Sequence, residues 1–480
     1  MSSSSFNRSV SLLDAVMFVS GAMIGSGIFI VSADMTRGLG SAGWLIIAWV
    51  LTGVVTLIGA LSYGELSGMF PNAGGQYMYL REEYGRRTGF LYGWSFFTVI
   101  QTGTIAAVAV AFSKFAAYVF PSFGEENILW QTGTIHVSAA QLVAISIIIL
   151  LTLVNTFGIR YGKTIQTVFT AAKILALAAL IVCGLCFGAH SSIWNENWHP
   201  AFLFRKMNTD GFSQYTGFAF IGAFAAAMVG SLFSSDSWHS IAFIAGEVKR
   251  PEKNIGLSLV LGTLIVTVLY VVVNLVYLAV LPLKDIAFAA NDRVAITASV
   301  KIFGIIGTAI IAILVMVSTF GCVNGLVLTG SRVYYSMAKD GLFFKKAGEL
   351  NKSSVPAFGL WVQCIWACIL CLSGKYGDLL DYVIFVVLIF YILTIAGIFR
   401  LRKKRPDAIR PYKAFGYPVL PVFYIITASA ICIALLFYKP LYTWPGLIIV
   451  LLGLPVYYLA EKKKENTNTE VTSSIIGKIN

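Results

Sequence analysis

The sequence Ile24-Gly25-Ser26-Gly27-Ile28-Phe29 interrupts an apolar run that extends from about residue 11 to residue 33. A second interruption, Gly230-Ser231-Leu232-Phe233-Ser234-Ser235-Asp236-Ser237-Trp238, lies in the run from about 215 to 245. Small and polar residues inside a membrane helix free backbone groups that lipid cannot satisfy, so such breaks persist only where they line a cavity. Two of them, in matching places of the two halves of a chain, indicate a binding site near the bilayer midplane.

The rest of the chain has the composition of an integral membrane protein. Hydrophobic residues make up 58% of its 480 residues and charged residues 12%, whereas about 25% of the residues of a soluble protein are charged. A helix crosses the hydrocarbon core with about 20 apolar residues. Twelve candidate runs lie at roughly 11–33, 41–69, 90–120, 138–157, 164–188, 215–245, 255–281, 300–331, 357–373, 377–399, 415–437 and 443–460. The sequence therefore predicts an all-α integral membrane protein with twelve transmembrane helices.

The distribution of charge predicts the orientation of the chain. The net charge is +13, and the basic residues cluster at 81–87, 249–253, 339–346 and 400–405. Lys and Arg accumulate on the cytoplasmic side of membrane proteins, so we expect both termini in the cytoplasm and the chain in the cytoplasmic membrane. It then has tails at 1–10 and 461–480 and a single transmembrane domain at 11–460. We interpret the basic clusters as contacts with lipid headgroups rather than with nucleic acid.

Cysteine and histidine give no sign of a metal centre or of an enzyme. All seven cysteines lie within the predicted spans, where cysteine usually behaves as a small buried hydrophobe. A membrane enzyme would need a cluster of His, Asp and Glu within the spans. Only Asp236 and His239 lie close together in this way. We therefore expect no catalytic residue, no metal and no cofactor.

The first break suits a negatively charged ligand. The helix that resumes after Gly27 exposes free N–H groups and the positive end of its dipole, which attract a carboxylate. Ser26, Gly27 and Ile28 are the candidate donors. The alternative is that Gly21 and Gly25 form only a small-residue packing face between helices.

The second break suits a positively charged group. A half-helix that ends near Leu232 leaves the carbonyl groups of Phe233 and Ser234 to accept hydrogen bonds from an ammonium group. Asp236 lies at midplane depth, where an ionisable residue faces a cavity or a partner. It would attract the amine, relay a proton or cap the resumed helix. Together the two breaks would bind both ends of a zwitterion.

Four other side chains are candidates for roles around this site. Phe233 and Trp238 are candidate gating residues, with ordinary core packing as the alternative for Phe233. Lys173 lies deep in the fifth span, where its ammonium needs acceptors. Carbonyl groups near the first break would supply them, and the cation would then exclude sodium; the alternative is a lysine that snorkels to the interface. Asn324 either hydrogen-bonds across helices or reaches a substrate.

With these residues in place, the chain resembles the amino acid–polyamine–organocation (APC) superfamily of transporters. The resemblance covers about residues 10 to 460 and is strongest to the L-type amino acid transporter branch, in particular the bacterial serine/threonine exchangers. The motifs that carry it are Gly21-x-x-Ile24-Gly25-Ser26-Gly27-Ile28-Phe29, Tyr63-Gly64-Glu65-Leu66 with Pro71-Asn72-Ala73-Gly74-Gly75, Gly246 to Ile255, Phe320 to Gly325, and Arg332 with Met337 to Gly341.

The resemblance implies a LeuT-like fold. Ten core helices would form two inverted repeats of five, at about 11–188 and 215–399, with helices 1 and 6 discontinuous and two further helices at about 415–460. It also implies alternating access, substrate contacts at Gly27-Ile28 and Phe233-Ser234, and Lys173 in the place that a sodium ion occupies in sodium-dependent relatives. The usual activity of the family is exchange of neutral amino acids.

The chain departs from the family pattern at the second break. Members of the family commonly have an aromatic residue here, then an acidic residue or glycine, then glycine and Trp. This chain has Ser235-Asp236-Ser237-Trp238 instead, and His239 stands where Asn is usual. The size of the substrate side chain therefore stays open. Residues 121–137 contain no cysteine, so we expect none of the disulfide-linked heavy chains that animal members bind. A proton-coupled symporter, with Asp236 or Glu65 as the proton site, is the alternative function, and a channel or sensor is a more distant one.

Overall fold

The computed structural model describes residues 8–132, 135–188, 192–373 and 376–476, and helices form most of this part of the chain. The helices are α1 (Leu12–Met23), α2 (Gly27–Ile30), α3 (Ser32–Leu39), α4 (Ala42–Met69), α5 (Gln76–Tyr84), α6 (Arg86–Ser95), α7 (Gln101–Val119), α8 (Ala139–Thr156), α9 (Ile159–Gly188), α10 (Ser192–Asn197), α11 (Ala219–Ser234), α12 (Pro251–Val280), α13 (Leu283–Ala287), α14 (Val294–Lys339), α15 (Ala357–Ser373), α16 (Tyr376–Lys404), α17 (Val419–Tyr438) and α18 (Pro440–Ile476). A π-helical turn at Phe96–Ile100 joins α6 to α7, and a 3₁₀ segment at Trp238–Glu247 follows α11.

Eleven helical stretches in the described ranges are long and apolar enough to cross a membrane. They correspond to all of the predicted spans except the ninth, at 357–373. That span is α15, an apolar helix of 17 residues that is slightly shorter than the eleven helical stretches able to cross a membrane. The prediction of a multi-pass helical membrane protein is therefore confirmed, whereas the structure supports eleven full-length spans where the sequence predicts twelve.

Two small antiparallel hairpins lie in the loops and were not predicted. Strands β1 (Ile128–Thr132) and β2 (Ile135–Ser138) form one, and β3 (Arg205–Asn208) and β4 (Gly211–Gln214) form the other. The all-α prediction overlooks them because strands of four and five residues are too short to show hydrophobic periodicity. The last predicted tail also differs, because α18 continues to Ile476 within it. Residues 1–7 and 477–480 lie outside the described residues.

Small residues allow the central helices to approach closely. A Cβ atom added at Gly53 of α4 would lie 2.1 Å from Cγ2 of Thr267 on α12, and one added at Gly262 would lie 2.6 Å from Val19 of α1. Close contact of this kind replaces the hydrophobic effect as the attraction between helices in lipid. It places α12 against both α1 and α4.

The basic clusters meet at one end of the bundle, which we call the basic end. There the buried carboxylate of Glu65 on α4 accepts hydrogen bonds from Arg402, at 3.0 and 2.6 Å, and from the backbone N–H of Ala414, at 2.8 Å. Arg410 forms a further ion pair with it, at 3.2 Å. Glu65 therefore pairs with two guanidinium groups and anchors residues 402–414 to α4.

We predict that Glu65→Gln destabilises the folded protein. Removing one partner of a buried ion pair leaves uncompensated charge and costs on the order of 3 kcal/mol. The measurement is the thermal midpoint of the detergent-purified protein, followed by size-exclusion chromatography after heating. Glu349→Gln, at an exposed position, is the matched control and should melt like the unmodified protein. Equal midpoints for the two variants would contradict the anchoring role.

Candidate functional site

The first break interrupts the helical backbone where the sequence predicts. Helix α1 ends at Met23, and Ile24 leaves the helical region with φ −74° and ψ 83°. The chain resumes at Gly27 in α2, and Val31, which is itself helical, links α2 to α3. The first N–H groups of this resumed helix have no acceptor within the helix. Ser26, Gly27 and Ile28 are all buried there.

Side chains from three other helices satisfy the carbonyl groups at the broken end of α1. Lys173 of α9 is fully buried, and its Nζ donates to the carbonyl oxygens of Gly21 and Ile24, both at 2.7 Å. These are the acceptors that the sequence predicts for its ammonium group, and the interfacial alternative does not hold. The other donors are Cys322 and Ser318 of α14, to Ala22 and Ile24, and Tyr270 of α12, to Met23.

The second break is equally clear in the backbone. Helix α11 ends at Ser234, two residues beyond the predicted Leu232. Ser237 adopts a left-handed conformation with φ 65°, and the 3₁₀ segment begins at Trp238. A left-handed residue other than glycine is uncommon and stops a helix at once. The discontinuity of both segments is therefore confirmed.

The expectation that the carbonyl groups at the end of α11 are unpaired is wrong for this conformation. The carbonyl of Phe233 accepts a hydrogen bond from the backbone N–H of Asp236, at 3.1 Å. The carbonyl of Ser234 accepts one from the hydroxyl of Tyr270, also at 3.1 Å. The backbone N–H of Ser235 also donates to the carbonyl of Phe233, so an ammonium group would have to displace one of these donors.

The two breaks are in direct contact. A Cβ atom added at Gly27 would lie 1.9 Å from Oγ of Ser234 and 2.9 Å from its Cα. The hydroxyl of Tyr270 spans both breaks, 2.9 Å from the carbonyl of Met23 and 3.1 Å from that of Ser234. The start of one resumed helix and the end of the other half-helix thus face each other across a few ångströms.

Asp236 has a side-chain partner on α16. The hydroxyl of Tyr391 lies 2.5 Å from Oδ1 of Asp236 and 2.7 Å from Nδ1 of His239. All three side chains are buried, and Tyr63 packs against His239 and Tyr391. The sequence predicts that Asp236 has a partner or faces a cavity, and this contact supplies the partner.

The remaining candidate residues are buried in protein contacts. Oδ1 of Asn324 accepts a hydrogen bond from Asn155 of α8, at 2.9 Å, which is the cross-helix alternative predicted for it. The ring of Trp238 packs edge-on against Tyr63, with centroids 4.7 Å apart, and beside Tyr391. Phe233 is 6% exposed. In this conformation both candidate gating side chains are therefore buried.

The site is compact in this conformation. The cavity beside the second break, lined by Thr56, Asp236, Trp238 and Tyr391 among others, has a volume of about 10 Å³, which is room for about one water molecule. A cavity of about 570 Å³ lies at the opposite end from the basic clusters, between α3, α11 and the β3–β4 hairpin. We call this the hairpin end. Ligand binding at the breaks therefore requires the segments to separate.

Ion pairs close the basic end below the breaks. The buried Glu247, at the end of the 3₁₀ segment, pairs with the buried Arg332 of α14 at 3.1 Å. Val10 forms a parallel bridge with Val248, so the chain before α1 is tied to the chain after the second break. Asp340 binds Arg81 and, at 2.6 Å, the hydroxyl of Tyr77. The Glu247–Arg332 pair joins two of the quoted motifs, Gly246 to Ile255 and Arg332 with Met337 to Gly341.

Sequence reasoning missed the polar face of α12. Tyr270, Asn274 and Tyr277 recur at helical spacing, so they lie on one side of the helix. Tyr270 reaches both breaks, Asn274 accepts from Ser32, and Tyr277 donates to the carbonyl of Ile28. The periodicity of these three residues in an otherwise apolar span was the available signal.

Two helix breaks that meet inside a bundle of membrane-spanning helices are typical of membrane transport proteins. Comparison with known proteins agrees, because the family model for amino acid permeases matches residues 10–457. The chain therefore belongs to the amino acid permease family, within the APC superfamily.

Several characterised transporters are similar along most of their length. The serine/threonine exchanger SteT of Bacillus subtilis (strain 168) is 31% identical over 460 residues, which is 95% of this chain and 98% of that protein. The large neutral amino acids transporter small subunit 2 of Homo sapiens is 31% identical over 94% of this chain and 80% of its own length. The b(0,+)-type amino acid transporter 1 of Mus musculus is 28% identical over 96% and 89%.

We predict that Gly27→Ala separates the two breaks and abolishes substrate binding. The added methyl group would overlap both the side chain and the backbone of Ser234, so removing the Ser234 hydroxyl would not relieve it. The measurement is the thermal stabilisation of purified protein by a panel of amino acids. Gly359→Ala on α15 is the control, because its added Cβ makes ordinary contacts at 3.6 Å. Normal ligand stabilisation of a folded Gly27→Ala protein would contradict the site.

Proposed function

We propose that the protein exchanges neutral L-amino acids across the cytoplasmic membrane by alternating access, without sodium. The observation that carries the proposal is the direct contact between Gly27, at the start of one resumed helix, and Ser234, at the end of the other half-helix. The positive end of one dipole and the negative end of the other face the same point. An α-amino acid has a carboxylate and an ammonium group on the same carbon atom, so its two charges could bind these two ends together.

In this proposal the N–H groups of Gly27 and Ile28, with the hydroxyl of Ser26, bind the carboxylate. The carbonyls of Phe233 and Ser234 bind the ammonium group after displacing Asp236 N–H or the Tyr270 hydroxyl. Phe233 and Trp238 would then close over the substrate. Asn324 acts through Asn155 on the helix beside the site.

Lys173 is the basis for sodium independence. Its ammonium group occupies the carbonyl cage at the end of α1, with two bonds of 2.7 Å. A sodium ion would need the same oxygen atoms. The Lys173 ammonium group supplies the positive charge that a sodium ion would bring, and it is covalently attached to the chain.

The architecture we propose is the LeuT-like arrangement of two inverted five-helix repeats, with α15 completing a twelve-helix bundle. The basic end would face the cytoplasm together with both termini, following the bias of Lys and Arg. The basic end is closed, and the 570 Å³ cavity lies at the hairpin end. This conformation would therefore be open towards the outside and closed towards the cytoplasm.

The side-chain pocket is the feature that would set specificity. Asp236, Tyr391 and Thr56 give the wall beside the second break several hydrogen-bonding groups. The relative from Bacillus subtilis is described as a serine/threonine exchanger. A small neutral amino acid with a hydroxyl group matches such a wall, so serine and threonine are our first candidate substrates.

The test is exchange in proteoliposomes. We expect uptake of labelled serine or threonine to be stimulated by unlabelled amino acid inside, and to be the same with sodium or choline outside. Absence of stimulation from the opposite side would contradict exchange. Uptake driven instead by a proton gradient would support the second candidate, a proton-coupled symporter, which the buried Asp236–Tyr391–His239 contact favours.

We predict that Lys173→Ala makes the protein sodium-sensitive. The change removes the Lys173 donor from the carbonyl of Gly21 and leaves the carbonyl of Ile24 with Ser318 alone, which lowers stability because an unpaired buried group costs about 1–3 kcal/mol. Sodium should restore part of the thermal midpoint, whereas choline should not. The control is Lys301→Ala, at an exposed position on α14, which should respond to neither ion. A sodium-insensitive Lys173→Ala protein of normal stability would contradict the cation cage.

A further inference from the structure

Glu83 is a buried carboxyl group that the substrate site does not use. It lies in the last turn of α5, the helix at the basic end between the second and third spans, and its exposure is 0%. Neither carboxyl oxygen has a hydrogen-bond partner in the part of the chain that the structure describes. A buried carboxylate without a partner is strongly unfavourable, and the neutral acid is far less so.

The carboxyl group is pressed against α16. A Cβ atom added at Gly397 would lie 2.1 Å from both Cδ and Oε2 of Glu83. Glycine at this position lets the acid approach the helix backbone, so the contact exists only while α5 and α16 are packed together. Separation of the two helices would admit water to Glu83.

The charged groups around α5 are engaged elsewhere. The neighbouring Glu82 forms ion pairs with Arg81 and Arg405, at 3.0 and 2.8 Å. The guanidinium group of Arg400 lies over the ring of Tyr84. The titratable groups that face Glu83 are Tyr63 of α4 and Tyr79 and Tyr84 of α5. Arg81 and Tyr77, also on α5, bind the carboxylate of Asp340 on the segment that follows α14. On the other elements packed against α5, Arg86 donates to the Asp340 carbonyl, Arg332 pairs with Glu247, and the Tyr391 hydroxyl contacts His239 and Asp236.

Helix α16 connects this acid to the second break. Tyr391, Thr394 and Gly397 recur every three residues and lie on one face. Tyr391 binds Asp236, Thr394 accepts from Gln76 of α5 at 3.0 Å, and Gly397 contacts Glu83. The hydroxyl of Tyr84 also donates to the carbonyl of Leu393, at 2.8 Å. A movement of α16 therefore changes the surroundings of Glu83 and of Asp236 together.

We propose that Glu83 is a proton-binding site: the neutral acid holds α16 against α5, and release of the proton accompanies separation of these helices at the basic end. The ligand is a single proton, bound outside the substrate site. The proposal goes beyond amino acid exchange and does not require it, because proton binding is a property of the resting protein.

The sign of the pH effect follows from the burial. Burial raises the pKa of the Glu83 carboxyl above its usual range, and its position at the negative end of α5 acts in the same direction. The packed conformation is therefore fully favoured below the ordinary pKa of about 4.3 and loses this contribution as the pH rises through the raised pKa. Alkaline pH at the basic end should favour opening there.

The first experiment detects the proton directly. Infrared spectra of the purified full-length protein at neutral pH should contain a protonated carboxylic acid band that is missing in Glu83→Gln. Asp236 and Glu247 are present in both proteins, and because α16 contacts both Asp236 and Glu83, the spectrum of Asp236→Asn identifies any band that belongs to Asp236. Identical spectra would overturn the proposal. This readout is independent of transport, so failure of the exchange assay leaves its result intact.

The second experiment measures exchange as a function of pH on the side of the basic end. We expect the rate to change by up to about tenfold per pH unit, the limit for one proton. Glu83→Gln should flatten this profile, while the exposed control Glu349→Gln should keep it. Gly397→Ala forces the helices apart and should give the alkaline behaviour at every pH, which tests the contact if Glu83→Gln folds poorly. An unchanged profile in Glu83→Gln or Gly397→Ala would overturn the coupling.

Discussion

The requirement that every backbone group in lipid be bonded within the protein governs this structure. Helix α1 stops in the middle of the bundle, and its last carbonyls, from Gly21 to Ile24, need donors there. Lys173, Tyr270, Ser318 and Cys322 provide them from α9, α12 and α14. The break is therefore a junction at which four helices are held in register.

The two ends of the bundle are built differently. The basic end contains buried or partly buried ion pairs centred on Glu65, Glu247 and Asp340. Such pairs add little net stability but tolerate only one geometry. The hairpin end also has ion pairs, Arg37–Asp292 and Lys439–Asp381, but these border an open cavity. The basic end is thus packed shut around its ion pairs, while the hairpin end keeps an open space between a loop hairpin and short helices.

The sequence predicted the features that follow from local chemistry. Glycine and polar residues within apolar runs located both breaks, and the cost of burying charge predicted the acceptors of Lys173 and a partner for Asp236. The partners themselves, Tyr391 and Tyr270, lie 155 and 36 residues away from the second break, and no local pattern specifies such pairings. The same tertiary contacts explain why the end of α11 was misjudged: Tyr270 supports the carbonyl of Ser234, and the helix extends two residues further. The two loop hairpins could not be predicted because their strands are too short to show alternation of apolar and polar residues.

The hydroxyl of Tyr270 has one proton but lies between two carbonyl oxygens, those of Met23 and Ser234. The carbonyl of Met23 also accepts from the backbone N–H of Gly25, at 2.8 Å, so the Tyr270 proton can serve Ser234 while Met23 keeps a donor. A single hydroxyl group thereby ties both breaks to α12. Any displacement of that helix is felt at both broken ends at the same time.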